Sequence, residues 1–132
     1  MIAGITLNNF YFRIHEGSVR GPQAADFLRA LLRHIPGKIM VIWDGAAIHR
    51  SAPVKQALAE SAGRLWLERL PAYAPELNPA EYLWAHLKEH EIANLLVRRG
   101  WELSLHATRA LRRMRRRPRI IAACWHQAEL PL

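Results

Sequence analysis

The chain has 132 residues, half of them hydrophobic (51%) and 23% charged, which suits one folded domain with a sizeable core and excludes a disordered chain. No apolar run is as long as a membrane span, and the N-terminus lacks a basic stretch leading into a long apolar one, so neither a membrane segment nor a signal peptide is expected. The single cysteine, Cys124, rules out an internal disulfide and fits a reducing, cytoplasmic setting, and the net charge of +8 points to an anionic partner.

Residues 2–7, IAGITL, and 10–14, FYFRI, are short and rich in β-branched and aromatic side chains, and Asn8-Asn9 between them predicts a β-hairpin. Residues 16–22 read as loop. From Gln23 to His34, Ala24, Phe27, Leu28, Leu31 and Leu32 recur at helical spacing until Pro36-Gly37 stops them. Ile39 to Trp43 is an unbroken apolar run, expected as a strand buried on both faces. Ser51 opens a second helix that tolerates Pro53 in its first turn and runs to about residues 61–63. Residues 65–70, LWLERL, form the next strand. Ala80 to Leu96 predicts a long helix with Leu83, Trp84, Leu87, Ile92, Leu95 and Leu96 on one face. A last helix from about Ser104 sets Ala107, Leu111 and Met114 on one side and ends at Pro118. Internal repeats and low-complexity linkers are absent from the sequence.

This order predicts an α/β domain. The strand–helix–strand unit at 39–70 calls for a parallel pair with a right-handed crossover. Ligand sites in such sheets lie beyond the carboxyl ends of the strands. Asp44 stands at one such end, and Glu81 follows the other after the proline-rich stretch LPAYAPELNP. Two carboxylates brought together repel unless a cation lies between them. Oxygen ligands suit Mg²⁺ or Mn²⁺, and two such ions serve phosphodiester chemistry.

Structural alternatives stand beside each assignment. Asp44 with Gly45 is a common turn pair. Asn78, Pro79 and Glu81 fit a helix capping box, in which the glutamate bonds back to the cap. His49 is either a base or ligand, or a hydrogen-bonding partner of structural kind. His86 and His90 stand four apart without an HExxH pattern and read as surface residues. Trp84 lies on an apolar face and reads as core.

The charge is uneven. Nine arginines and one acid, Glu102, lie between Arg98 and Arg119, and the rest of the chain is neutral. Arg109, Arg112, Arg113, Arg115, Arg116, Arg117 and Arg119 form the densest part, a candidate nucleic-acid contact whose plainer alternative is a solvated helix face.

The strand ending in Asp44, His49 after it, the loop LPAYAPELNP and AEYLWAHLK on the following helix together resemble the DDE-superfamily transposases, in particular the mariner-like transposases of bacterial insertion sequences. The resemblance spans nearly the whole chain, and one departure is Gly45, where many relatives carry asparagine. It implies a ribonuclease-H-like (retroviral-integrase-like) mixed sheet with flanking helices, and an Asp–Asp–Glu triad binding two divalent ions. Asp44 matches the second aspartate and Glu81 the glutamate, with 36 residues between them; His49 and Asn78 match supporting positions. It implies water attack on DNA at the element end, then attack of the freed 3′-hydroxyl on target DNA.

The first triad aspartate belongs on a strand preceding the hairpin, and the sequence does not contain it. The other aspartate, Asp26, falls in the first predicted helix. The expectation is therefore a catalytic core lacking its first central strand over residues 1–97, with a basic helical segment of the same domain over 98–132, inactive on its own. Mg²⁺ or Mn²⁺ would bind once the triad is completed by an upstream segment. The expected partners are DNA, the upstream half of the same transposase and a second copy of the chain, in the bacterial cytoplasm at the nucleoid. The rival expectation is a DNA-binding remnant without catalysis, acting through the arginine-rich tail.

Overall fold

The structure, a computed structural model, describes residues 2–7, 9–15, 18–71, 75–91 and 100–128. The described elements are β1 (Ile2–Ile5), β2 (Phe10–Arg13), α1 (Gly21–His34), β3 (Ile39–Trp43), a 3₁₀ turn (Ala47–Arg50), α2 (Ala52–Glu60), β4 (Leu65–Arg69), a 3₁₀ turn (Pro75–Leu77), α3 (Pro79–His86), a π-helical turn (Leu87–Glu91), α4 (Gly100–Arg115) and α5 (Pro118–Gln127). The four strands make two two-stranded sheets, β1 with β2 and β3 with β4. The chain divides into two compact units, one comprising residues 3–16 and 75–132, the other residues 17–74.

In the second unit β3 and β4 run parallel, in a register that pairs Ile39 with Leu65 and Trp43 with Arg69. The α2 crossover between them satisfies the expected strand–helix–strand unit. α1 begins at Gly21, two residues earlier than its apolar spacing suggests, because Pro22 is well suited to a first helical turn. Its carboxyl end is closed by Arg64. That guanidinium donates to the carbonyls of Leu32 (3.0 Å), Ile35 (2.9 Å) and Gly37 (3.0 Å). Ser51 stands at the N-cap position of α2, where the helix was expected to open, but its hydroxyl donates to the Ile48 carbonyl (2.7 Å) rather than capping the helix, and Ala62 and Gly63 end the helical region in left-handed conformations (φ 53° and 83°).

The expectation that β3 is buried on both faces does not hold. Ile39, Val41 and Trp43 are half-buried, but Met40 and Ile42 are 62% and 58% exposed, beside Trp66 at 62%. A parallel pair alternates its side chains, and the described residues leave one face of this two-stranded sheet open.

In the first unit the β1–β2 turn is tied by its own polar groups. Thr6 N–H donates to the Asn9 carbonyl (2.8 Å), Asn9 N–H to Thr6 Oγ1 (3.1 Å) and Phe10 N–H to Asn9 Oδ1 (2.8 Å). Phe10, Leu83, Leu87, Ala107, Ala110, Leu111, Met114, Ile121 and Cys124 form the core, with Trp84 packed against it as its helical position suggests. The Arg115 guanidinium lies 5.4 Å and 5.1 Å from the ring centres of Phe10 and Phe12, and Trp125 Nε1 donates to the Thr6 carbonyl at 2.8 Å. Burial pushes the Cys124 thiol up to about 11.

Other helix boundaries differ from expectation, and α4 begins at Gly100 rather than near Ser104. The long helix expected from Ala80 is α-helical only to His86 and then π-helical to Glu91; Ile92, Leu95 and Leu96 lie outside the described residues. Pro118 does end α4, but it also occupies the first turn of a further helix, α5, which the sequence reading missed. Proline is a stop signal read from one side and a start signal read from the other.

Candidate active site

Asp44 is the first residue after β3, and its side chain is 63% exposed. Its Oδ1 accepts the N–H of Ala46 at 3.0 Å, so the Asp-Gly turn alternative is realised. The His49 ring completes the arrangement. Its Nδ1 lies 2.9 Å from the Asp44 carbonyl oxygen and 3.2 Å from Oδ1. The ring is stacked on Trp43, with centres 3.8 Å apart and planes 1° from parallel. Arg50 donates to the Gly45 carbonyl at 3.0 Å. A Cβ on Gly45 would stand 3.0 Å from Arg69 Cδ, so an asparagine here would press on the last residue of β4, the register partner of Trp43.

His49 is thus held as a hydrogen-bonding partner of Asp44, in line with the structural alternative for it. The Trp43 stack was not foreseen. Its signal in the sequence is an aromatic residue before the aspartate and a histidine five residues after it, but only the 3₁₀ turn at Ala47–Arg50 folds them face to face.

Glu81 stands in the first turn of α3, in the other compact unit. Asn78 caps this helix. Its Oδ1 accepts from Ala80 N–H at 3.1 Å, and its carbonyl accepts from Glu81 N–H at 3.1 Å. Asn78 is therefore an N-cap through the second helical N–H, not the first half of a capping box. The Glu81 carboxylate is exposed and makes no hydrogen bond among the described residues, so the expected bond back to the cap does not form either. Tyr82 Oη donates to the Glu76 carbonyl at 3.0 Å and ties the loop to the helix. The middle of the proline-rich loop, residues 72–74, lies outside the described residues. Asp26, the remaining aspartate, pairs with Arg29 on α1 at 3.2 Å. Among the described residues no group of three histidine, cysteine or acidic side chains is gathered to hold a metal ion.

The arginine block is not uniform. Glu91, only 10% exposed in its side chain, receives Arg113 Nη2 at 3.3 Å and Arg117 Nη1 at 3.1 Å, and His86 Nε2 lies 3.5 Å away. Burial pushes the Glu91 carboxyl upward, but Arg113, Arg117 and His86 outweigh it and hold the group below its ordinary range. His86, read from sequence as a surface residue, is instead half-buried beside Glu91 and touches the His90 ring at 4.9 Å between centres. Glu91 lies near the end of a helix read as apolar, where one carboxylate gives no pattern to find.

A family model described as DDE superfamily endonuclease matches residues 1–104. Among solved structures, the chain is similar to the Mos1 transposase catalytic domain determined with raltegravir and Mn. That match has a TM-score of 0.57 and 16% identity, and covers 96% of this chain and 73% of the other. At that identity the likeness concerns the fold, an α/β arrangement of the ribonuclease-H-like kind. A comparison with curated proteins returned no match.

Proposed function

The chain belongs to the DDE superfamily endonuclease family, and we propose that it carries the second and third acids, Asp44 and Glu81, of a transposase that cleaves and transfers the DNA of an insertion sequence. The family supports transposase-type DNA cleavage in general. The observation that carries the finer reading is the state of the two carboxylates. Each stands at the edge of a well-built element, fixed by its backbone, with oxygen left unclaimed. Asp44 Oδ1 is taken by Ala46 and His49, leaving Oδ2 without a partner among the described residues. The Glu81 carboxylate is free of hydrogen bonds among the same residues.

These donors fit a hard divalent cation, since both offer oxygen alone. Asp44 and Glu81 would each offer carboxylate oxygen to Mg²⁺ or Mn²⁺, and the Mn in the Mos1 structure accords with that choice. Such ions, when bound, activate an attacking oxygen and stabilise a leaving one. The protein's own part is positioning. The Trp43–His49 stack fixes the imidazole, and the imidazole fixes the main chain and carboxylate of Asp44. The Asn78 cap and Pro79 fix where α3 begins and so where Glu81 stands.

The reading takes the first triad aspartate to come from a further segment, with its central strand beside β3. The same reading takes residues 1–97 as core and 98–132 as its basic extension, and places the protein on DNA in the bacterial cytoplasm. Without that segment the chain does not cleave DNA. The test is Mn²⁺ titration of the ¹⁵N-labelled chain together with a cleavage assay. Paramagnetic broadening is expected around residues 44–46 and 78–82, and is lost at each site in Asp44→Asn and Glu81→Gln. Broadening confined to other residues would remove the metal assignment. Robust Mg²⁺-dependent cleavage by the chain alone, abolished by Glu81→Gln, would refute its incompleteness.

A second reading, DNA binding without catalysis, is favoured by the exposed arginines of α4 and α5. It predicts binding that Asp44→Asn and Glu81→Gln leave unchanged.

A further inference from the structure

We propose that the duplex-DNA surface of this chain is the row Arg109, Arg112 and Arg116 with Arg119 beside it, and that Arg113, Arg115 and Arg117 are withdrawn from DNA to hold the fold. The proposal rests on the DNA-directed reading above and divides the arginine block that the reading treats as one.

The division follows from what each guanidinium touches. Arg109, Arg112, Arg116 and Arg119 are exposed and have no ion pair among the described residues. On α4, positions 109 and 112 fall roughly 60° apart, and Arg116 is the first residue past the helix, its N–H donating to the Arg113 carbonyl at 3.1 Å. Positions 109 and 112 lie about 180° from the buried side of α4, which carries Ala107, Ala110, Leu111 and Met114. They therefore point directly away from the core. Seven residues at helical rise span about 10 Å, the axial rise of about three phosphates on one DNA strand.

The other three are committed. Arg113 and Arg117 both serve the Glu91 carboxylate, whose side chain is 10% exposed. Turning either toward a phosphate would strip a buried charge of a partner, which is costly. Arg115 lies over Phe10 and Phe12, 5.4 Å and 5.1 Å from the ring centres, and its removal to DNA would forfeit that cation–π contact.

The test uses the whole 132-residue chain and a 30-base-pair duplex of random sequence. Affinity is measured against salt concentration, and circular dichroism checks folding. Each phosphate neutralised contributes about −0.9 to the log–log slope. Neutralising the row (R109Q/R112Q/R116Q) is expected to flatten the slope by about 2.7, and R113Q/R117Q by less than 0.9. A loss of about 1.8 in R113Q/R117Q, with the fold intact, would show that all the arginines share the DNA and overturn the proposal. A second measurement on the wild type removes any dependence on how that variant folds. Arginine Nε–H resonances are followed by NMR as the duplex is added. Shifts at Arg109, Arg112 and Arg116 with none at Arg113 and Arg117 are expected; the reverse pattern refutes the division. If the wild type shows no salt-dependent binding, the DNA-directed reading itself fails, and the division fails with it.

Discussion

Arg64 is the residue through which the second unit is easiest to weaken. The last carbonyls of α1 have no partner within the helix. Arg64 supplies one for Leu32 and Ile35 through Nη2 and one for Gly37 through Nε, at 3.0, 2.9 and 3.0 Å. It also places a positive charge at the negative end of that helix. Hydrogen bonds from a charged donor contribute about 1.5–3 kcal/mol each when dry. Here the Gly37 bond is exposed and the other two are half-buried. Taking the two at about 1–1.5 kcal/mol and the exposed one at nothing gives about 2–3 kcal/mol. Arg64→Met keeps most of the stem and removes the donors, so the loss should be close to that figure. Arg64→Lys should lose about half, because an ammonium on a flexible stem reaches fewer of the three carbonyls. Urea unfolding followed by far-UV circular dichroism measures both. An Arg64→Met chain within about 0.5 kcal/mol of wild type would refute the argument that these bonds close α1.

Leu111 is fully buried in the first unit, so Leu111→Ala should cost about 2–5 kcal/mol by thermal or urea unfolding, whereas Leu103→Ala, at a position 42% exposed, should fall within about 0.5 kcal/mol of wild type. Glu91 gives a pH signature. Its folded pKa is held below the unfolded value of 4.5, so its stabilising contribution is complete above that value and is lost as pH falls through the folded pKa. The stability gap between wild type and Glu91→Gln, measured by urea midpoints from neutral to acid pH, should therefore close on acidification, and a gap independent of pH would contradict the ion-pair account.

What the sequence made legible was whatever repeats with a period. The spacing of Phe27, Leu28 and Leu31 marked α1, and the run 39–43 marked β3 to the residue. The proline-led start of α3 with Asn78 as cap was also readable, because capping chemistry is local. Burial was less legible. The apolar run of β3 promised two covered faces, yet Met40 and Ile42 are open, since coverage depends on elements distant in sequence. α5 was missed because Pro118 was read only as an end. Around the candidate site, the local settings of Asp44 after its strand and of Glu81 behind its cap could be read from the sequence. The stack of Trp43 on His49 and the gathering of Arg113 and Arg117 on Glu91 could not, because they pair residues whose meeting is set by the path of the backbone.

The π-helical turn at Leu87–Glu91 leaves a mark on how this chain tolerates changes in length. Such a turn is the trace of one residue more than an α-helix would use over the same stretch. Deleting Lys88 would let the turn relax to ordinary α-helical geometry, a local gain in backbone regularity. One residue fewer in ordinary α-helical geometry covers the same stretch, so Glu91 would keep its place against Arg113 and Arg117. Loss of one residue at this point is thus absorbed locally, with the Glu91 ion pairs kept on one side and the register of Asn78 and Glu81 on the other.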